Sequence, residues 1–177
     1  PVLSDESVSF YPLEKVKEYP DSLMSPAPDV LLADFGKDAF CQIALKIYST
    51  GKSDTVRIRL GECLADGRIN RNPGGSIRYS EYDLILAKGK HVYTVTIAKD
   101  KRNTSGGAIR MPDYIGEVLP FRYCEIEGKG IHLSKEDIVR NVVHYPFNDE
   151  SSFFKCSNDT LNQIYELCKY TIKATSY

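Results

Sequence analysis

Glu125 and Glu127 stand two apart in the stretch Phe121-Arg122-Tyr123-Cys124-Glu125-Ile126-Glu127, which reads as a β-strand. Side chains two apart on a strand leave the same face, which puts these carboxyls about 7 Å apart. Inverting glycosidases hold an acid and a base about 6.5–9.5 Å apart to admit a water. The spacing therefore permits that chemistry, but the direction does not favour it. Neighbours on one strand point the same way, whereas the reaction needs groups on opposite sides of a sugar. A solvated strand end before Gly128 is the plainer expectation.

Other candidate chemistry is thinner. Gly51-Lys52-Ser53 has the last residues of a phosphate-binding loop, but Lys46 stands where that motif needs its first glycine. Gly74-Gly75-Ser76-Ile77-Arg78 misses the nucleophile elbow, because Arg78 takes the place of the second glycine. Asp34-Phe35-Gly36 matches a kinase triplet with nothing else of that set present. His91, His132 and His144 are far apart, and none has a helical i+4 partner. The five cysteines, Cys41, Cys63, Cys124, Cys156 and Cys168, include no pair at C-x-x-C spacing, so neither zinc nor a redox motif is indicated. Asn103-Thr104-Ser105 and Asn158-Asp159-Thr160 satisfy the glycosylation sequon, which is common by chance. No catalytic residue, metal ligand or cofactor is assigned.

Two Arg-Tyr pairs are better suited to contact than to catalysis. Arg78-Tyr79 follows Pro73-Gly74-Gly75-Ser76-Ile77, and Arg122-Tyr123 follows Val118-Leu119-Pro120-Phe121. A planar donor fork beside a polar-tipped ring fits an interdomain or a sugar contact. In the competing reading each arginine pairs with a cross-strand acid and each tyrosine packs.

The elements that must position these residues are mostly strands. Ile43, Leu45 and Ile47, then Val56, Ile58 and Leu60, then Tyr93, Val95 and Ile97 alternate with polar or small residues, the period of a half-buried strand. Further strands are expected over 30–35, 77–86, 121–127, 139–147 and 152–156. Turn clusters lie between them: Gly36-Lys37-Asp38, 49–53, Asn72-Pro73-Gly74-Gly75, Lys88-Gly89-Lys90 and Ser105-Gly106-Gly107. With no βαβ pattern, the fold class is mainly β, an antiparallel β-sandwich. Residues 1–29, with five prolines, read as a linker or ordered extended arm, with one helical turn near 13–18. Residues 30–156 form the sandwich, and 157–177 a C-terminal α-helix. There Leu161, Ile164, Tyr165, Cys168 and Ile172 fall on one stripe at helical period, capped by Ser157 or Asn158.

The 23 Lys and Arg against 24 Asp and Glu give a net charge of -1, which offers no long-range attraction to nucleic acid or to an anionic membrane. The basic group Lys99, Lys101, Arg102 and Arg110 is broken by Asp100 and reads as a solvated loop; residues 100–115 form the one long loop. No apolar run approaches the roughly 20 residues of a membrane helix. With 42% hydrophobic residues the composition is ordinary for a globular chain. Pro1 in place of a methionine is expected to mark a removed start. The compartment is expected to be periplasmic or secreted, although cysteine use leaves the cytoplasm open.

Several of these segments resemble a known family. Phe35-Gly36-Lys37-Asp38-Ala39-Phe40, Gly61-Glu62, Pro73 to Tyr79 and Gly116-Glu117-Val118-Leu119-Pro120-Phe121-Arg122-Tyr123-Cys124-Glu125 resemble the β-sandwich that precedes the catalytic domain of bacterial α-L-rhamnosidases, glycoside hydrolase family 78. Phe154-Lys155-Cys156-Ser157-Asn158-Asp159-Thr160-Leu161-Asn162, with Ile164 to Cys168, is similar to the first helix of their (α/α)6 barrel; Tyr165 stands where tryptophan is common. The resemblance covers about residues 30–177. It implies a parent that hydrolyses terminal α-L-rhamnosides with inversion, through carboxyls in a barrel beyond Tyr177. None of those can be carried onto this sequence.

The expected function is therefore a non-catalytic accessory module, inactive alone, with the first helix of a truncated catalytic domain at its end. Its expected partner is the downstream helical domain of the same polypeptide, with rhamnose-containing glycans as a further ligand class. The alternative is an autonomous carbohydrate-binding module, whose 12 tyrosines and 7 phenylalanines could stack on sugars despite the absence of tryptophan.

Overall fold

A computed structural model describes residues 12–51, 54–101 and 111–176. The sequon at 103–105, the turn at 105–107, Lys52, Ser53, Arg102, Arg110 and most of the 100–115 loop lie outside the described residues.

The fold is organised by one long strand. β3 (Val30–Ser49) runs for 20 residues and bends where its pairing shifts between Asp34 and Ala39. Its first part pairs with β2 (Ser22–Ala27) and with β9 (Leu119–Glu127). β9 pairs in turn with β4 (Thr55–Gly61), and β4 with the edge strand β7 (Tyr79–Ile85). Its later part pairs with β10 (Ile138–His144) and β8 (Gly89–Thr94), and β10 carries β1 (Glu14–Glu18) on its far side. All these pairings are antiparallel. A short hairpin, β5 (Leu64–Ala65) and β6 (Arg68–Ile69), stands apart.

The two parts of β3 belong to two layers that share one core. Ala33, Val56, Ile58, Leu60, Cys124 and Ile126 come from one layer and Cys41, Ile43, Leu45, Ile47, Ile138 and Val142 from the other, within a single cluster. This is the antiparallel sandwich that the alternating patterns predict, since each strand turns its apolar side chains to the shared interior. Arg140 ties the corner. It is buried, its guanidinium lies 4.6 Å from the Phe35 ring centroid, and it donates to Glu18 and to the Lys37 and Phe121 carbonyls.

Several expectations are corrected. Gly36-Lys37-Asp38 is not a turn between strands but the bulge inside β3. Gly36 has φ +74°, its N–H donates to Asp34 Oδ1 at 2.7 Å, and a Cβ there would collide with the Asp21 carboxylate. Of the stretch 13–18, Glu14–Glu18 is strand rather than helical turn, because β10 offers it a ladder. Residues 152–156 form no strand: the Cys156 N–H and carbonyl go to the Asn162 side chain at 2.9 and 3.0 Å. The hairpin of β5 and β6 and a 3-10 turn at Lys135–Asp137 were not foreseen.

The C-terminal helix, α1 (Asp159–Thr175), is capped by Asn158, whose side chain accepts from Thr160 and Leu161 N–H. Its polar and aromatic side rests on the sandwich. The Tyr170 hydroxyl donates to the Asp38 carbonyl at 2.6 Å, Lys173 pairs with Asp149 at 2.7 Å, and Tyr145 N–H donates to the Ser176 carbonyl at 2.7 Å. None of its residues is buried. Leu161, Ile164, Leu167 and Ile172 are 48, 50, 65 and 59% exposed. Of the stripe, Leu161, Ile164, Cys168 and Ile172 point away from the sheet, while Tyr165 is half-buried with its ring 5.6 Å from that of Phe154; Leu167 is exposed on a neighbouring face of the helix.

Candidate functional site

The register β7-β4-β9 sets Tyr79, Gly61 and Tyr123 in one row on the outer face of their layer, with Asp34 beside them. Gly61 keeps this row open to the hairpin: a Cβ there would come within 2.5 Å of Ile69 Cγ2. Ile69 packs instead with Leu32 and Tyr123, and Tyr79 lies against them. The Tyr79 hydroxyl donates to Glu81 at 2.9 Å. Arg122 forms a two-pronged pair with Asp34 at 2.7 and 2.8 Å, and its guanidinium lies 4.9 Å from the Tyr123 ring centroid. The bonds from Arg122 hold the Asp34 carboxyl below its ordinary range against the opposing effect of burial. Arg78 pairs with Asp100 at 3.4 Å, and its backbone N–H donates to Glu62 at 2.7 Å. The sheet thus brings Tyr79, Arg122 and Tyr123 together, while Arg78 faces Asp100 and Phe40.

The next row holds Arg59 between Glu81 and Glu125. Here the expectation of a solvated strand end fails for Glu125, which is fully buried. Arg68 donates to it twice, at 2.8 and 2.6 Å; Arg71 reaches it at 2.5 Å and Arg59 at 3.0 Å. Burial alone would raise this carboxyl, but the bonds from Arg68 and Arg71 outweigh it and bring it to about 2. A carboxyl so held has no proton to give at neutral pH, and arginines occupy both of its oxygens. It is a structural anchor and not an acid or a base.

The hairpin of β5 and β6 delivers Arg68, and Arg71 follows it, so the anchor depends on an element that sequence reading missed. Its signal was present. Asp66-Gly67, at φ 51° and 75°, is the pair that a two-residue turn requires, between Leu64-Ala65 and Arg68-Ile69.

A groove of about 720 Å³ opens between the β3 bulge and α1. Lys37, Asp38 and Phe40 form one wall, and Leu167, Tyr170 and Ala174 belong to the other. Asp38 is unusual in this place. Its Oδ1 is buried and has no hydrogen-bond partner, and among the described residues it is the only side-chain oxygen or nitrogen in that state. Burial, then the neighbouring Glu62 charge, raises its carboxyl to about 6 in spite of Arg140, the Ala39 N–H and Arg78.

The histidines do not converge. His91 bonds to the Lys88 carbonyl and His144 to that of Tyr145, both at 2.8 Å. Among the described residues no group of three or more His, Cys, Asp or Glu could hold a metal ion. None of the described helices is long and apolar enough to cross a membrane. These surfaces can bind: an apolar helix face, a groove with an unsatisfied carboxyl, and a row of paired arginines and tyrosines.

No family model and no curated protein matches the sequence. Solved structures do. An α-L-rhamnosidase from Dictyoglumus thermophilum matches 95% of this chain at TM-score 0.69 and 23% identity, over 17% of its own length. An α-L-rhamnosidase from Streptomyces avermitilis, complexed with L-rhamnose, matches 93% at TM-score 0.64 and 21% identity, over 14% of its length. A family 78 rhamnosidase from Bacillus sp. GL1 matches 81% at TM-score 0.56 and 18% identity, over 13% of its length. The resemblance read from the motifs is thus a resemblance of fold as well. The chain spans less than a fifth of the length of each of these three.

Proposed function

We propose that this chain is the non-catalytic β-sandwich module of an α-L-rhamnosidase-like glycoside hydrolase, and that its α1 packs into a helical catalytic domain of the same polypeptide. In this reading residues 30–156 are the accessory sandwich, completed by β1 and β2, and 157–177 belong to the helical domain. The parent would hydrolyse terminal α-L-rhamnosides with inversion. The observation that carries the reading is α1, whose apolar stripe faces solvent although a sheet lies beneath the helix. An amphipathic helix gains stability by burying that face, so a stripe left open calls for another body to cover it. The shared fold, at under a fifth of each rhamnosidase's length, is consistent with such a body.

The test is hydrolysis of an aryl α-L-rhamnoside by this chain and by the longer polypeptide expressed from the same reading frame. Turnover is expected from the second and not from the first. Turnover by this chain alone overturns the reading. Calorimetry with rhamnose-containing oligosaccharides separates the alternative, since saturable binding by the isolated chain would make it a carbohydrate-binding module in its own right. Arg122, with 37% of its side chain exposed beside Tyr123, is where such a contact would form.

A further inference from the structure

Tyr170 is where α1 grips the bulge of β3. Its hydroxyl donates to the Asp38 carbonyl at 2.6 Å, and the Lys37 ammonium lies 4.5 Å from its ring centroid. Burial raises the phenol, and the charges of Arg140, Glu18 and Asp38 all reach it. The half-buried tyrosine thus holds the same residue whose Oδ1 is buried without a partner. A bulge interrupts the ladder, so the backbone that Tyr170 holds is the least tied part of β3.

The two protonation states of Asp38 do not cost the same. A buried acceptor without a partner is unfavourable, and a carboxylate more so than a neutral acid. Glu62 adds a second negative charge nearby. Arg140, the Ala39 N–H and Arg78 act the other way. Arg140, however, already donates to Glu18 and to the Lys37 and Phe121 carbonyls, and Arg78 pairs with Asp100. The neutral acid is favoured on balance. Any opening that lets water reach the carboxyl relieves the charged form and does nothing for the neutral one. The element free to open is α1, which has no buried residue and rests on the sandwich through hydrogen bonds and an ion pair.

We propose that Asp38 and Tyr170 form a proton-controlled latch. While the Asp38 carboxyl is neutral Tyr170 stays seated; loss of its proton to solvent unseats the tyrosine and loosens α1. The inference does not depend on the accessory-module reading and holds whatever meets the outer face of the helix. Linkage gives its sign: a carboxyl at about 6 when α1 is seated and at 3.8 when free penalises the seated form as pH rises from 3.8, in full above 6.

The experiment is amide hydrogen exchange in α1 of this chain, expressed as protection relative to the unfolded-chain rate, at pH 5 and pH 7.5. Protection is expected to fall about tenfold between them. Asp38→Asn is expected to keep the pH 5 protection at both. A fall that persists in Asp38→Asn overturns the latch and moves the cause elsewhere, first to His144, which shares a pocket with Lys169 and Lys173 beside α1. Equal protection of the unsubstituted helix at both pH values also overturns it. So does protection of α1 as high as that of β9, since the helix would then open only with the whole fold. Tyr170→Phe is the second variant. Losing one hydrogen bond, it is expected to lower α1 protection at pH 5 about fivefold, and no change there would show that Tyr170 is not the catch.

Discussion

Glu125 and Asp38 are both carboxyls in protected places, and they respond in opposite ways because their neighbours differ. Glu125 has three arginines within bonding distance, so its charged form is favoured and the carboxyl falls to about 2. Lowering it from 4.5 makes it a stabilising group above its unfolded value, worth about 3 kcal/mol by linkage and lost as pH falls from 4.5 toward 2. Glu125→Gln should therefore cost about 3 kcal/mol at pH 7, as for a broken buried pair, with a gap that narrows below pH 4.5; urea midpoints across pH read it directly. Asp38 has the reverse sign. Its carboxyl is raised to about 6, so its charge weakens the fold above pH 6 and costs nothing below 3.8. In this chain alone, the gain from Asp38→Asn should be full above pH 6 and absent at pH 3.5. Equal gains at both pH values would mean that packing, not charge, is the cause.

At the level of elements, alternation made the strands legible and loop chemistry misled. Ile43, Leu45 and Ile47, and Val56, Ile58 and Leu60, alternate because one face meets the core, and the core side chains fall where the pattern puts them. Gly36-Lys37-Asp38 carries every sign of a turn, yet the strand continues through it. A glycine at φ +74° serves a bulge as well as a turn, and only the partners on β2 and β9 decide which. The hairpin was missed because its strands are two residues each, below the length at which periodicity speaks, although Asp66-Gly67 was readable. Consequently the arginine anchor around Glu125 was invisible as a cluster: Arg59, Arg68 and Arg71 meet only through that hairpin. The stripe of α1 was legible, but its direction was not. One side of the helix is held by Tyr170, Lys169 and Lys173, which reach the sandwich through hydrogen bonds rather than burial. Such contacts hold a helix loosely. Amide hydrogen exchange in α1 should therefore run at least about 100-fold faster than in the central strand β9. Equal protection would show α1 to be part of the sandwich's own cooperative unit.

For the whole molecule the unequal treatment of its two surfaces is decisive. The sandwich closes its core between two layers and covers the outer face of β9 and β4 with the hairpin and its ion pairs. Among the described residues the α1 side has no such cover. Leu161, Ile164 and Ile172 share one face of α1 at 48, 50 and 59% exposure, Phe153 and Leu167 are 85 and 65% exposed, and a net charge of -1 supplies little repulsion between copies. Left uncovered, this face is free to meet another copy of the chain. Sedimentation velocity should show association that grows with concentration, and added salt should not reverse it, because the contact is apolar rather than ionic. The double variant Ile164→Lys and Cys168→Glu places charges in the middle of the stripe without touching the bonds of Tyr170, Lys169 or Lys173. It should therefore stay monomeric with its helix content unchanged. If the unsubstituted chain is monomeric at high concentration, the exposed stripe is not sticky enough to need a partner, and no physical cause remains for another domain to cover it.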